Sequence, residues 1–154
     1  MKAIYFDMDA TICSLYDYPN WLELLHAEDT APYENCAPMY DMEKLNNLLL
    51  EFVSLGITIG IISWSAMNGS KDYNKRVRKA KREWCNKYGL NAISEFHVVK
   101  YSTPKHQVAK IKDSILIDDD NNNLTTWKNG DTIDAKENIV PILKQLLKEL
   151  QNAA

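Results

Sequence analysis

The sequence predicts a single α/β domain with a mostly parallel sheet and helices on both faces. The chain has 154 residues, of which 45% are hydrophobic and 25% charged, so it can bury one ordinary core. Short apolar segments alternate with longer segments of helical pattern, which is typical of βαβ units. Several of the apolar segments end in acidic or hydroxyl residues, as expected where ligands bind at the carboxyl edge of a parallel sheet.

The first predicted strand covers residues 2–6 and ends in two carboxylates, Asp7 and Asp9, followed by the hydroxyl of Thr11. Its Ile, Tyr and Phe residues are typical of a fully buried strand. A buried strand does not normally end in acidic residues unless the acids have partners. We therefore expect the two carboxylates to be functional groups at the edge of the sheet.

Residues 13–40 are interpreted as a small insert that acts as a flap or minimal cap. The segment contains three prolines and five aromatic residues, and only residues 20–27 suggest a helix. A loop of this length inside a compact domain is usually functional. The alternative is a surface excursion that covers one edge of the sheet.

The next segment predicts a helix followed by the second strand. Asp41 can cap the helix, an apolar stripe lies on one side of it, and Gly56 supplies its C-terminal stop. Residues 57–62 are almost entirely apolar and form the second predicted strand, which ends at Ser63.

Residues 73–88 have a helical pattern, and residues 93–99 form the third predicted strand. The dipeptide Thr103-Pro104 predicts the start of a short helix, because proline is favoured in the first turn. Lys105 therefore lies at a helix start, where the helix dipole adds positive potential.

The fourth predicted strand covers residues 114–117 and ends in Asp118 and Asp119. A brief fifth strand is predicted at residues 132–133, and a last helix begins near residue 138. Because strands of a parallel sheet end at the same edge, the polar residues that follow them are expected to meet there.

These polar residues have a common chemical logic. They are Asp7, Asp9, Ser63, Lys105, Asp118 and Asp119. Converging carboxylates repel one another unless a hard divalent cation such as Mg²⁺ lies among them. A phosphate would need the positive charge and hydrogen-bond donors that a lysine, a hydroxyl and backbone amides supply. One carboxylate can attack phosphorus while a second transfers protons.

The motifs that carry this chemistry occur in a fixed order. They are Asp-Met-Asp-Ala-Thr at residues 7–11, an apolar strand ending in Ser63, Lys105, and Ile-Leu-Ile-Asp-Asp at residues 115–119. Together they resemble the haloacid dehalogenase (HAD) superfamily, over residues 2–123. The resemblance implies a three-layer Rossmann-like fold over residues 1–154 and a Mg²⁺-dependent phosphohydrolase that forms an aspartyl-phosphate.

The resemblance also implies the roles of the two paired acids. Asp7 matches the nucleophile, and Asp9 matches the general acid/base that also offers its backbone carbonyl to Mg²⁺. Dehalogenases of the superfamily lack an acid at the second position, so its presence favours phosphoryl transfer. Ala10 stands where glycine is frequent in the family.

The remaining motif residues are assigned in the same way. Thr11 matches the position that steadies the loop at the phosphate site, Ser63 the hydroxyl that binds the phosphoryl group, and Lys105 the lysine that balances its charge. Asp118 matches a metal ligand, and Asp119 a second acid that acts directly or through water. The resemblance therefore places Mg²⁺ among Asp7, Asp9, Asp118 and Asp119.

Two of these assignments compete with neighbouring residues of the sequence. Ser65 replaces Ser63 if the second strand ends two residues later, and Lys100 competes with Lys105. Asn123 fits the end of the last motif, in competition with Asn121 and Asn122.

A second hypothesis is a nucleic-acid-binding protein with weak or no catalysis. Residues 71–87 contain eight Lys or Arg against two acids, a net charge of +6. A solvated helix face is the simpler interpretation, because apolar residues already form an inward stripe there.

For the phosphohydrolase hypothesis, the expected substrate is a phosphorylated small molecule, a nucleotide or a nucleic-acid end. Trp64 could stack on a base, although large aromatic residues more often belong to the core.

The composition favours a cytoplasmic protein without membrane attachment. The net charge is −3, which gives no general attraction to anionic surfaces. The three cysteines, Cys13, Cys36 and Cys85, show no metal-ligand spacing and are interpreted as free thiols. The first apolar run is too short for a signal peptide, and no segment reaches the length of a bilayer span.

Overall fold

Five parallel strands form the central sheet. In the computed structural model, which describes residues 1–153, they are β1 (Ala3–Phe6), β2 (Thr58–Trp64), β3 (Ile93–Val99), β4 (Ser114–Asp118) and β5 (Thr132–Asp134). Their spatial order is β3-β2-β1-β4-β5, and each neighbouring pair is parallel. The predicted α/β fold with its parallel sheet is therefore confirmed, with β1 at the centre.

Seven α-helices within residues 1–153 surround the sheet. They are α1 (Trp21–His26), α2 (Ala31–Asn35), α3 (Met42–Ser54), α4 (Lys71–Lys87), α5 (Lys105–Val108), α6 (Asn121–Thr126) and α7 (Ile139–Ala153). Helix α3 begins as predicted, because the Asp41 side chain accepts a hydrogen bond from the Lys44 amide. Gly56, with a φ of +80°, follows the helix in the left-handed conformation that glycine tolerates.

The alternation of side chains along the strands produces two apolar layers. Ile4 and Phe6 of β1 point to one face, where they join the large core formed with α3 and α7. Ala3 and Tyr5 point to the opposite face and pack in a smaller cluster with Trp127. Both faces of the sheet are therefore covered, as parallel sheets require.

The insert at residues 13–40 packs against α4. It contains a 3₁₀ turn (Leu15–Asp17) and helices α1 and α2, of which α2 was not expected from the sequence. Ser70 donates to the Glu28 carboxylate from its amide and its hydroxyl, both at 2.8 Å. Tyr73 Oη donates to the Asp29 carbonyl at 2.8 Å. These bonds fix the insert over the carboxyl edge of the sheet.

The helices of residues 1–153 lack the combination of length and apolar character needed to cross a bilayer.

Candidate active site

A buried lysine joins the ends of β1 and β4. Lys105 Nζ donates to Asp7 Oδ1 at 2.7 Å and to Asp118 Oδ2 at 2.6 Å. Burial alone would lower the pKa of Lys105, but the two carboxylates outweigh it and raise that pKa. Lys105 therefore stays charged and holds both carboxylates at the floor of one site.

Asp119 completes a group of three carboxylates. One carboxylate oxygen from each of Asp7, Asp118 and Asp119 lies within 4.8 Å of the others. Burial, together with the charge of Asp7, raises the pKa of Asp118 to about 6. Burial and the charges of Asp7 and Asp118 raise the pKa of Asp119 to about 7. Clustered hard oxygen ligands whose ionisation is opposed by their neighbours fit a site for a hard divalent cation.

Asp9 has a different partner, which the sequence interpretation missed. Its Oδ2 accepts a hydrogen bond of 2.6 Å from Nζ of Lys81, whose side chain is only 1% exposed. Burial raises the pKa of Asp9 and the Lys81 ammonium opposes that rise, while the charge of Asp7 adds to it. The Asp9 carboxylate stands outside the group of three, so its side chain is available for proton transfer.

Lys81 also fixes the end of β2. Its ammonium group donates to Ser63 Oγ at 2.8 Å and to the carbonyl of Trp64 at 2.9 Å. The signal in the sequence was its position four residues after Val77, within the inward stripe of α4. The predicted solvated face of residues 71–87 therefore includes one cation that points into the fold.

The loop after β1 turns sharply to present Asp9. Ala10 adopts a left-handed conformation with φ of +57°, at the position where the family resemblance indicated glycine. The amides of Thr11, Ile12 and Cys13 all point to the carbonyl of Met8, at 3.1, 2.9 and 3.1 Å. This turn holds Asp9 beside Asp7 at the edge of the sheet.

The structure separates the residues assigned to phosphate binding. Thr11 is fully buried, its hydroxyl has no hydrogen-bond partner, and it does not line the cavity. Ser63 is also fully buried and bonded to Lys81, whereas Ser65 lines the cavity. The cause is that β2 continues through Trp64, paired with β3, which carries the following serine to the edge. Ser65 is accordingly the better placed hydroxyl.

The competing lysines and asparagines are also separated by position. Lys105 lines the cavity, whereas Lys100 is exposed outside it. Among the three asparagines after β4, Asn123 reaches the site and donates from Nδ2 to Asp118 Oδ2 at 3.1 Å. Asp120 caps α6 by accepting the amides of Asn122 and Asn123 at Oδ1, and this orients the helix that carries Asn123.

A cavity of about 470 Å³ lies above these residues, between the insert and the edge of the sheet. Its floor contains Asp7, Asp9, Lys105, Asp118 and Asp119. Side chains of the insert and the segment after β2 form its walls. The volume is in the range of small-molecule sites.

Besides Lys81, three cations of α4 contact residues elsewhere in the fold. Arg78 Nε donates to the carbonyl of Val98 at 3.1 Å, and the Arg82 guanidinium lies 4.5 Å from the ring centre of Phe96. Arg76 donates to the carbonyl of Glu28 at 3.0 Å. These three partners are neutral groups, so they hold the side chains in place without removing the formal charge of +6 from the segment.

A solved structure shares the fold of this chain. No protein-family model matches it, and no curated protein does so. The crystal structure of an uncharacterized protein from Corynebacterium glutamicum aligns with 98% of this chain and 96% of its own, with a TM-score of 0.55 and 12% identity. That of D,D-heptose 1,7-bisphosphate phosphatase from Burkholderia thailandensis covers 82% of this chain and 72% of its own, with a TM-score of 0.48 and 9% identity. The first similarity shows that the α/β fold is shared over almost the entire chain.

Proposed function

We propose that this chain is a Mg²⁺-dependent phosphomonoesterase of the HAD type that works through an aspartyl-phosphate on Asp7. The observation that carries the proposal is the position of Lys105, which bonds Asp7 and Asp118 at 2.7 and 2.6 Å beneath an open cavity. An acid with an independent partner, Asp9, lies on the same loop as the proposed nucleophile. Nucleophile, proton donor and cation therefore face one space.

The proposed reaction uses the two acids in sequence. Oδ1 of Asp7 is bonded to Lys105, which leaves Oδ2 to attack phosphorus. As the new bond forms, the bond from phosphorus to the ester oxygen breaks, and Asp9 gives its proton to that oxygen. Ionised Asp9 then takes a proton from water, which attacks phosphorus and releases Asp7 and inorganic phosphate.

The phosphoryl group needs cations and donors around its oxygens. Lys105, on the floor of the cavity, would supply the positive charge. Ser65, which also lines the cavity, would supply a hydroxyl donor. The three clustered carboxylates of Asp7, Asp118 and Asp119 would hold Mg²⁺, with the Asp9 carbonyl as a further ligand implied by the family resemblance. When bound, the ion supplies positive charge that offsets the charge of the phosphoryl oxygens.

The test is turnover of a generic aryl phosphate with Mg²⁺ by the wild-type protein and Asp7→Asn. We expect the variant to lose at least about a thousandfold in kcat, because the amide cannot form the phosphoenzyme. Asp131→Asn, at an exposed acid outside the cavity lining, is the matched control and should retain full activity. Full turnover by Asp7→Asn would overturn the proposal.

A further inference from the structure

The cavity changes chemical character from its floor to its rim. The floor is acidic and contains the reacting groups, whereas much of the wall surface is apolar or aromatic. A contiguous group of apolar side chains left open to water often marks a binding surface. The walls therefore indicate the chemical character of the group that is attached to the phosphate.

The wall supplied by the insert contains a fixed aromatic pair. The rings of Tyr16 and Trp21 are 4.8 Å apart and inclined at 67°. Tyr16 is 51% exposed and the neighbouring Leu22 is 48% exposed, although both line the cavity. These side chains present an apolar surface to the cavity that the protein itself does not cover.

The part of the lining formed by the end of β2 contains a second aromatic pair. The rings of Trp64 and Tyr101 are 5.0 Å apart, and Trp64 Nε1 donates to the carbonyl of Thr103 at 2.9 Å. Trp64 lines the cavity instead of belonging to the core, contrary to the sequence-based expectation. The indole is held in place by its hydrogen bond, so its exposed surface is preorganised for contact.

The aromatic wall begins next to the reacting groups. Lys105 Nζ lies 5.3 Å from the ring centre of Trp64 and 2.7 Å from Asp7 Oδ1. A group attached to the phosphate by one or a few bonds would therefore meet the Trp64 ring. The distance favours a planar leaving group close to the phosphate.

The charge of the lining limits the number of phosphates. Among the described residues, Lys105 and His26 are the basic side chains that line the cavity, and His26 is on the insert side. Lys105 is already bonded to two carboxylates. The cavity therefore offers little positive charge to a second phosphate. It also fits the backbone of a nucleic-acid strand poorly, because such strands bind along a continuous cationic groove.

We propose that the cavity selects monophosphate esters whose leaving group carries a planar aromatic ring, bound between the two aromatic walls. This inference rests on the proposed phosphatase function and specifies its substrate class. Two sources share this chemistry: an aryl phosphate, in which the ring bears the ester oxygen, and a nucleoside monophosphate, in which a sugar separates ring and phosphate.

The first experiment compares KM for phenyl phosphate, uridine 5′-monophosphate and glycerol 3-phosphate with Mg²⁺. We expect KM for at least one of the two aromatic esters to be about tenfold or more below that for glycerol 3-phosphate, which corresponds to one good aromatic contact. The better of the two identifies the source. Equal values for all three esters would overturn the inference and leave the phosphatase proposal intact.

The second experiment removes one ring from each wall. Trp21→Leu and Trp64→Leu should each raise KM for the preferred aromatic ester by about tenfold. The rise in KM should be smaller for glycerol 3-phosphate, because its leaving group has no ring for the walls to contact. Tyr18→Leu, which changes an aromatic residue of the insert outside the cavity lining, is the matched control and should leave both substrates unchanged. A similar loss on both substrates in the two Trp variants would contradict the inference.

Binding provides a measurement that does not depend on turnover. Quenching of tryptophan fluorescence should show phenylphosphonate binding at least about tenfold more tightly than methylphosphonate. If the wild-type protein hydrolyses none of the esters, the phosphatase proposal fails and this comparison still decides the inference. Equal affinities for the two phosphonates would overturn it.

Discussion

Lys81 Nζ lies 2.6 Å from Asp9 Oδ2, although the two residues are 72 positions apart in the chain. The same ammonium group bonds Ser63 and the carbonyl of Trp64, so it connects the loop after β1 with the end of β2. Lys81 does not line the cavity. In the proposed mechanism it would be a positioning residue, which acts on the substrate through Asp9.

Loss of this contact should affect the proton-transfer group more than substrate binding. We expect Lys81→Met to lower kcat by about a hundredfold, the effect of displacing a reacting group by about 1 Å. Because the Lys81 ammonium lowers the pKa of Asp9, its removal should also move the alkaline limb of the kcat–pH profile to higher pH.

Two variants distinguish this role from a general loss of structure. Lys81→Arg keeps the charge and should recover part of kcat together with the wild-type alkaline limb. Lys79→Met removes an exposed lysine of the same helix that pairs with Glu83. It should change neither kcat nor the alkaline limb. An unshifted pH profile in folded Lys81→Met would show that the lysine does not control Asp9.

Mg²⁺ binding should weaken as pH falls through 7. Asp119 has a pKa raised to about 7 and Asp118 a pKa raised to about 6, so both carry protons at pH 5.5 that a cation must displace. Above pH 8 both are ionised and no protons need to be released. The increase in melting temperature on adding Mg²⁺ should therefore be larger at pH 8 than at pH 5.5.

The metal-free protein should show the opposite trend. A carboxyl whose pKa is raised on folding binds more protons in the folded than in the unfolded state between its unfolded pKa, near 4, and its folded value. Through this window these two groups make the free energy of unfolding decrease as pH rises. Asp119→Asn should reduce that slope and weaken Mg²⁺ binding, and an unchanged slope would contradict the assignment.

Replacement of Ala10 by glycine should stabilise the fold. Ala10 has a φ of +57°, a conformation that costs a non-glycine residue about 1–2 kcal/mol. The greater chain entropy of glycine in the unfolded state offsets part of this gain. We therefore expect a net increase of about 1 kcal/mol in the free energy of unfolding, measured in urea.

The reverse substitution elsewhere provides the control. Gly56 has a φ of +80°, and a Cβ atom there would meet nothing within 4 Å. Gly56→Ala should therefore lose about 1 kcal/mol for conformational reasons alone. A loss of stability in Ala10→Gly would show that contacts of the methyl group outweigh the backbone conformation.

Lys105 and Lys100 should differ sharply when each is replaced by methionine. Lys105→Met leaves Asp7 and Asp118 facing each other without a cation, so we expect kcat to fall by at least about a hundredfold. Its stability should recover towards low pH, where a carboxyl of the pair becomes protonated. Lys100→Met, at an exposed position, should leave turnover and unfolding unchanged, and equal losses would contradict the assignment.

The strands and acidic floor could be predicted because each depends on local sequence. Asp7 and Asp118 follow runs of apolar residues, and strands of a parallel sheet end at one edge whatever the details of packing. The third strand has the predicted bounds, Ile93–Val99. Such features need only periodicity and composition.

The partners of these groups depend on tertiary contacts and were missed. Lys81 carries a charge, which normally indicates exposure to solvent, and its inward position is explained by Asp9 and the end of β2 across the fold. Ser63 was preferred to Ser65 because the apolar run stops at Ile62, whereas pairing of Ser63 and Trp64 with β3 extends the strand. Helix α6 begins with asparagines of low helix propensity and depends on the cap supplied by Asp120.

Helix α4 connects the insert with the loop that carries Asp9. Its first residues are bonded to the insert through Tyr73 and the preceding Ser70, and its third turn carries the lysine that orients Asp9. A tilt of helix α4 that widened the entrance of the cavity would also displace Asp9. During evolution, specificity is therefore easier to change through side chains of α1, such as Leu22, than through movement of the insert as a whole.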